Sequence, residues 1–500
     1  MATQYILSID QGTTGTTVSL INTKGQQKFK QNREFRQIFP KPGWVEHDPK
    51  DIWQSVTSTI KEVLLQAKVK PAQVLCIGIT NQRETVMAWN RDTGEAVGNA
   101  IVWQCRRTTD NCHRLRQKGY EDKVRNLTGL VLDPYFSGTK MQWILQNNTE
   151  AKKLSKKGKL CFGTVDSFLI WKLTGGKVHA TDVSNASRTL LMDLSTLSYE
   201  PSLLKLFQVS QESLPEIKDS MGLFGKTDKV PGLGSGIPIT GVVGDQQSAL
   251  FGQLCFKKGE AKMTYGTGSF LLMNTANQKI ISKKGLLTTV AWKGCKDKKA
   301  TYALEGGAFV CGAAVQWLRD NLGLISSSTE IEKLARKVKD CGGVQFIPAF
   351  AGLGAPYWDP KVRGTMTGLT RGSEKAHLAR ATLEAMALQN VDIVETMKKE
   401  ARANLAKVRV DGGASANNLL MQMQANFLGS EVVRPKFIET TSLGAALMAG
   451  VGHGVWSSLS ELKKLDQVDG TFKPDMTTKE RRLRLAQWHQ AIRGAQMIYQ

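Results

Sequence analysis

The 500-residue chain predicts an α/β protein of two similar halves packed around a common cleft. Three observations lead there. At roughly 100–200 residues per domain, the chain is too long for one compact domain. Near the start, an apolar strand, a polar turn rich in Gly and Thr, and a second strand follow one another, and the same grammar returns beyond residue 260. Between these blocks lie segments whose apolar residues recur every three to four positions, the spacing of an amphipathic helix.

In the first half, Tyr5 to Ile9 reads as a buried strand, Asp10-Gln11-Gly12-Thr13-Thr14-Gly15 as a turn, and Thr16 to Ile21 as a returning strand. Asp48 then suits an N-cap, Pro49 the first helical position and Asp51 the positive end of the dipole. Ile52, Val56, Ile60, Val63 and Ala67 give that helix one apolar face, Pro71 ends it, and Val74 to Thr80 forms another strand. In the second half, Ala261 to Tyr265 and Phe270 to Asn274 are strands around the turn Gly266-Thr267-Gly268-Ser269. Leu378, Ala381, Ala385, Leu388, Val391 and Val394 mark a helix, and Lys407 to Val410 a strand leading into Asp411-Gly412-Gly413-Ala414. The boundary falls between Ala249 and Lys258, giving domains of residues 1–250 and 251–500 with no low-complexity linker between them.

Composition narrows the function. Eight cysteines are scattered without C-x-x-C spacing, and six histidines form no H-x-x-x-H pair, so a zinc site has no support and the thiols suit a reducing compartment. The apolar run before Asp10 is too short for a signal peptide, and no stretch reaches the roughly 18 apolar residues of a membrane span. A cytoplasmic protein is expected. The net charge of +23 raises the question of nucleic acid. Its excess lies in polar stretches such as Lys152 to Lys159, Lys296 to Lys299 and Lys479 to Arg484, none interleaved with aromatics. The expectation is a solvated surface that draws in anionic nucleotides, with no nucleic-acid partner.

Four turns could carry chemistry. The turn Asp10 to Gly15 offers backbone N–H groups and the Thr13 and Thr14 hydroxyls to phosphate oxygens, with Asp10 placed to hold a hydrated Mg2+. Gly266-Thr267-Gly268 repeats that offer, as one phosphate loop from each half would when clamping a nucleotide. Asp411 to Asn418 joins a strand to a helix through Gly412-Gly413, which permits close approach of a flat or anionic ligand. Gly241 to Gln247 sets Asp245 at the end of an apolar strand, where a carboxylate can take the proton of an attacking hydroxyl. Beside these, Arg83 and Glu84 follow a buried strand and offer donors and an acceptor for vicinal hydroxyls, while Trp103, Tyr135 and Phe270 could wall the carbon face of a small polyol.

Taken together, Asp10-Gln-Gly-Thr-Thr, Thr80-Asn-Gln-Arg-Glu-Thr, Ile101-Val-Trp-Gln-Cys-Arg, Ser137-Gly-Thr-Lys, Gly244-Asp-Gln-Gln-Ser, Tyr265-Gly-Thr-Gly, Gly354-Ala-Pro-Tyr-Trp and Asp411-Gly-Gly resemble the FGGY family of carbohydrate kinases along essentially the whole chain. The resemblance implies two ribonuclease-H-like, actin-like ATPase domains with ATP and Mg2+ between them, and phosphorylation of glycerol. It implies Arg83, Glu84, Tyr135, Asp245 and Gln246 as polyol-binding residues, with Trp103 and Phe270 as walls. It implies Thr13, Thr14, Gly15, Thr17, Thr267, Gly312, Gln316, Gly413 and Asn417 on the nucleotide side, Asp245 as general base, and Asp10 and Asp245 on the metal side. Thr17 stands where many relatives have Arg. A homodimer or homotetramer is implied as well. Another FGGY kinase, acting on a different small polyol or a ketose, would use the same turns, and an actin- or chaperone-like ATPase would need no polyol site.

Overall fold

In the computed structural model, residues 3–437 and 439–499 are described. The first strands, β1 (Tyr5–Gln11), β2 (Gly15–Asn22) and β3 (Gln27–Glu34), form an antiparallel meander whose first turn is the Gly/Thr segment. Helix α1 (Pro49–Ala67) follows, with the Asp48 carboxylate accepting from Lys50 N at 2.8 Å and Ile52, Val56, Ile60 and Val63 buried. It stops four residues before Pro71, because Lys68 turns left-handed (φ 54°) and its N–H closes onto Leu64 and Leu65 carbonyls. Strand β4 (Val74–Asn81) then runs parallel to β1. After a long excursion that includes α2 (Ser137–Asn147), β5 (Met221–Lys226) and β6 (Pro238–Gly244) complete a six-stranded sheet in the order β5-β6-β4-β1-β2-β3.

Helix α3 (Asp245–Gly252) leads into the second half, where the pattern recurs. Strands β7 (Ala261–Tyr265), β8 (Ser269–Ala276), β9 (Leu287–Trp292) and β10 (Thr301–Ala308) precede α4 (Gly312–Asp320) and the 27-residue α5 (Lys375–Ala401). Then come β11 (Lys407–Asp411), α6 (Asn418–Leu428), β12 (Glu431–Pro435), α7 (Thr440–His453), β13 (Val468–Phe472) and α8 (Thr478–Ile498). The second sheet has the order β9-β10-β8-β7-β11-β12-β13. In both sheets an antiparallel hairpin (β1–β2, β7–β8) is followed by two parallel strands (β4 and β6, β11 and β12). The sequence-level repetition is thus a repetition of topology.

Each sheet has its own apolar core. A third cluster mixes Ile6, Cys76 and Val243 of the first half with Leu272, Ala445 and Met448 of the second, so the halves share buried surface. Its centre is α7, which leaves the second sheet and packs on β1, β4, β6 and α3 of the first half. The approach is close enough that a Cβ on Gly444 would lie 1.9 Å from the Ser248 carbonyl oxygen of α3.

Candidate functional site

Three parallel strands of the first sheet end side by side: Gln11 pairs with Asn81, and Asn81 with Gly244. Their carboxyl ends therefore deliver Asp10, Arg83 and Asp245 to one place, the position where open α/β sheets bind ligands. Gly244 allows it, since a Cβ there would meet the Arg83 Cδ at 2.7 Å.

Asp245 opens α3. Its Oδ1 accepts from Gln246 N at 2.6 Å and forms an ion pair with Arg83 Nε at 3.1 Å, while Oδ2 accepts no hydrogen bond among the described residues. The side chain keeps 31% of its surface open. Burial of the carboxyl raises its pKa above the ordinary range, against the lowering pull of Arg83. Asp10 is pushed up to about 7, first by burial and then by the charge of Asp245; among the described residues its one donor is Ser442 Oγ at 3.2 Å. Two repelling carboxylates with unused lone pairs fit a hydrated Mg2+, which takes one or two carboxylates and fills its shell with water and phosphate oxygens.

Arg83 and Glu84, adjacent in sequence, are 2% and 1% exposed. Glu84 adopts φ 62°, a left-handed conformation rare outside glycine. Its carbonyl is held by Ser137 Oγ and by Lys140 Nζ, each at 3.2 Å, and Lys140 also donates to the Tyr135 and Phe136 carbonyls. The consequence is that the two side chains diverge. Arg83 donates to both oxygens of Glu305 at 2.6 and 2.9 Å, to Gln247 Oε1 at 3.1 Å and to the Tyr135 hydroxyl at 3.4 Å. Glu84 accepts from Arg188 Nε at 2.6 Å, and Arg188 Nη2 reaches Glu305 at 3.1 Å. Burial alone would raise the Glu305 pKa, yet Arg188 and Arg83 hold it at about 2.

Of the polyol-side residues expected from sequence, Arg83, Glu84, Tyr135 and Asp245 meet through this network. Gln246 joins by accepting from Lys262 Nζ, which also donates to Thr264 Oγ1 at 2.8 Å; burial lowers the Lys262 pKa to about 8. Trp103 packs edge-on against Tyr135 at 5.5 Å and donates from Nε1 to Thr13 Oγ1 at 2.9 Å, tying the wall to the first Gly/Thr turn. Phe270 half-emerges from β8 on the sheet face that also carries Lys262, Thr264 and Glu305, as the cross-strand register requires.

On the nucleotide side, the Thr14 and Thr267 side chains are exposed, as are Gln316 and Gly413. Gly15 begins β2, and the Thr17 hydroxyl accepts from Asn32 Nδ2 of β3 at 2.9 Å. The Gly266 carbonyl accepts from Gly312 N at 3.0 Å and the Thr267 carbonyl from Ala313 N at 3.1 Å, so the second Gly/Thr turn is docked on the N-terminus of α4. Gly413 follows the neighbouring strand β11 and faces open space where a Cβ would stand. A 3-10 turn over Gly413–Ala416 separates it from α6, whose N-cap is Asn417, accepting from Leu420 N at 2.9 Å. Sequence reasoning missed Arg188, Gln247, Lys262, Glu305 and Lys140 as members of this site. Lys262 and Glu305 are lone charges in apolar or small-residue stretches, and that isolation was the available signal; Gln247 stands within the polar run Asp245 to Ser248, where nothing singles it out.

Residues 5–252 match the N-terminal domain of the FGGY family of carbohydrate kinases, and residues 261–453 the C-terminal domain of the same family. The chain belongs to the FGGY family of carbohydrate kinases. Among FGGY relatives, the glycerol kinase of Bdellovibrio bacteriovorus is 57% identical over 488 residues, covering 98% of each chain. Glycerol kinase 2 of Thermotoga maritima is 50% identical over 489 residues, again covering 98% of each. The crystal structure of Plasmodium falciparum glycerol kinase with ADP superposes with a TM-score of 0.94 at 38% identity, covering 99% of this chain and 98% of that one. This FGGY chain therefore has the two-domain α/β fold of the family, as its sequence led us to expect. Among the described residues, no helix is long and apolar enough to cross a membrane.

Proposed function

We propose that this FGGY kinase transfers the γ-phosphoryl group of ATP to glycerol, giving sn-glycerol 3-phosphate and ADP, with Asp245 as the general base. The observation that carries this reading is the Asp245 carboxylate: Oδ1 pinned by Arg83 and the Gln246 N–H, Oδ2 free, and the group still open at the carboxyl end of a parallel strand. A base held in that way keeps one oxygen for the proton of a primary hydroxyl, and its raised pKa suits proton uptake. The curated relatives that share half or more of this sequence are glycerol kinases, which favours glycerol as acceptor.

The residues divide the work. Arg83, Glu84, Tyr135 and Gln246 would position the remaining hydroxyls, with Trp103 and Phe270 against the carbon face, so that orientation supplies much of the rate. Thr13, Thr14 and Gly15 from the first domain, and Thr267, Gly312, Gln316, Gly413 and Asn417 from the second, would bind the nucleotide, with Thr17 beside the first turn. Asp10 and Asp245 would hold Mg2+, which when bound offsets charge on the phosphoryl oxygens. In this reading residues 1–250 and 251–500 act as two domains closing on the nucleotide. Eight unpaired thiols support a cytoplasmic location. Assembly as a homodimer or homotetramer belongs to the same proposal and is checked by light scattering.

The test is a coupled ADP-release assay with glycerol, dihydroxyacetone and xylulose, run on wild type and Asp245→Asn. Glycerol should be the preferred acceptor. The variant should lose about 10²–10⁴ in kcat while still binding glycerol by calorimetry. Near-normal turnover would remove Asp245 as the base, and a preference for xylulose would remove glycerol as the acceptor.

A further inference from the structure

We propose that Glu305, a residue of the second domain's sheet, is a positioning residue that aims Arg83 at the acceptor, so that the polyol site is completed only where the two domains meet. The inference rests on the glycerol reading above and adds to it a residue that the acceptor need not touch.

The geometry argues for it in three steps. First, Arg83 and Glu84 are not each other's main partners, despite being neighbours in the chain: their closest charged atoms are 3.8 Å apart. Their partners at 2.6 Å are Glu305 and Arg188 respectively. Second, Glu305 binds the Arg83 guanidinium with both oxygens, at 2.6 and 2.9 Å, and a two-point fork fixes the plane and rotation of that group, which a single bond does not. That fork also fixes where Arg83 Nε stands, 3.1 Å from Asp245 Oδ1 as an ion pair. Third, the charges alternate along one connected path, Asp245–Arg83–Glu305–Arg188–Glu84, with the last four side chains 0–3% exposed. At one end stands the base, at the other a polyol acceptor group, and the only link contributed by the second domain is Glu305 on β10.

Removing the Glu305 charge would leave two buried guanidiniums with Glu84 and Asp245 as their only carboxylates. Arg83 would then be drawn to Asp245, away from the acceptor and onto the oxygen that must stay available. A purely structural role for Glu305 would act differently. Its strand pairs with β8, which begins directly after the Thr267 turn, so a general disturbance of the sheet would weaken ATP at least as much as glycerol.

The experiment compares wild type, Glu305→Gln and Glu305→Asp by steady-state kinetics with each substrate varied, with circular dichroism and thermal melting as fold controls. The expected result for Glu305→Gln is a glycerol KM raised on the order of 10- to 100-fold, the loss of a charge-assisted hydrogen bond, with the ATP KM within about twofold of wild type. Glu305→Asp, which keeps the charge but is one methylene short of the fork, should fall between the two. An unchanged glycerol KM, or glycerol and ATP KM rising together in a folded variant, would overturn the proposal. If Glu305→Gln does not fold, Glu305→Asp decides: a wild-type glycerol KM there overturns it, and a selective rise sustains it. A wild type without glycerol-dependent ADP release would instead defeat the glycerol reading itself, and this inference with it.

Discussion

At the scale of single residues, the site depends on side chains that touch no expected ligand. Lys140 is buried in α2 with three carbonyl oxygens around its ammonium, those of Glu84, Tyr135 and Phe136. Those three peptides carry the left-handed turn at Glu84 and the aromatic wall. Lys140→Met keeps the length of the side chain and removes the ammonium donor from the Tyr135 and Phe136 carbonyls, while the Glu84 carbonyl keeps Ser137 Oγ. We expect a loss of about 2–4 kcal/mol in urea unfolding, together with a raised glycerol KM; a stability within about 0.5 kcal/mol of wild type would show that these carbonyls find other partners. Residues of this kind also mark where sequence reading ran out. Asp10, Arg83 and Asp245 were legible because each follows an apolar strand run and interrupts it with a charge. Glu305 interrupts an apolar run in the same way and Arg188 stands alone among small residues, but Glu305 lies 222 residues from its partner Arg83 and Arg188 lies 104 from its partner Glu84, and nothing local to either residue names that partner.

At the scale of elements, β1, β2, α1, β4, β7, β8, α5 and β11 were all visible as periodic apolar patterns: β7 ends where expected, the other strands run one or two residues longer, α1 stops early at the left-handed Lys68, and α5 extends to Ala401. Helix α7 was not legible as a bridge. Its sequence, Thr440–His453, is rich in Gly and Ala, and small residues give no amphipathic stripe to read. That composition has a different cause, the close crossing on α3 and the first sheet, where a Cβ on Gly444 would sit 1.9 Å from a carbonyl oxygen. Gly444→Ala should cost about 1–3 kcal/mol or more by overpacking and lower activity, because Ser442 of the same helix donates to Asp10. Gly494→Ala in α8 is the internal control: a Cβ there meets nothing within 4 Å, so stability should hold or rise by about 0.5–1 kcal/mol. Melting curves of the two variants decide it, and equal shifts would refute the crossing as the source of the cost.

At the scale of the whole molecule, the net charge of +23 has no counterpart in a nucleic-acid motif, yet it acts on whatever charged small molecule approaches. ATP is a polyanion and glycerol is neutral, so the two substrates should respond differently to salt. Raising NaCl from about 20 to about 300 mM shortens the screening length several-fold, and the ATP KM should rise about two- to tenfold while the glycerol KM stays nearly constant. A salt-independent ATP KM would mean that the surplus charge sits too far from the cleft to matter. The two-domain plan itself was legible from the repeated strand–turn–strand grammar. The way the domains interlock was not, because it rests on α7 and on Glu305, both of which work at long separation along the chain.

The placement of α7 also has a consequence for how the protein is made. On a ribosome, the first sheet is complete once Gly244 has emerged, but the helix that covers its inner surface starts only at Thr440, about 200 residues later. At roughly 5–20 residues per second, strands β1, β4 and β6 spend on the order of 10–40 s with an apolar, glycine-notched floor uncovered. The apolar floor of the nascent first sheet therefore stays open until nearly the last tenth of the polypeptide has been made.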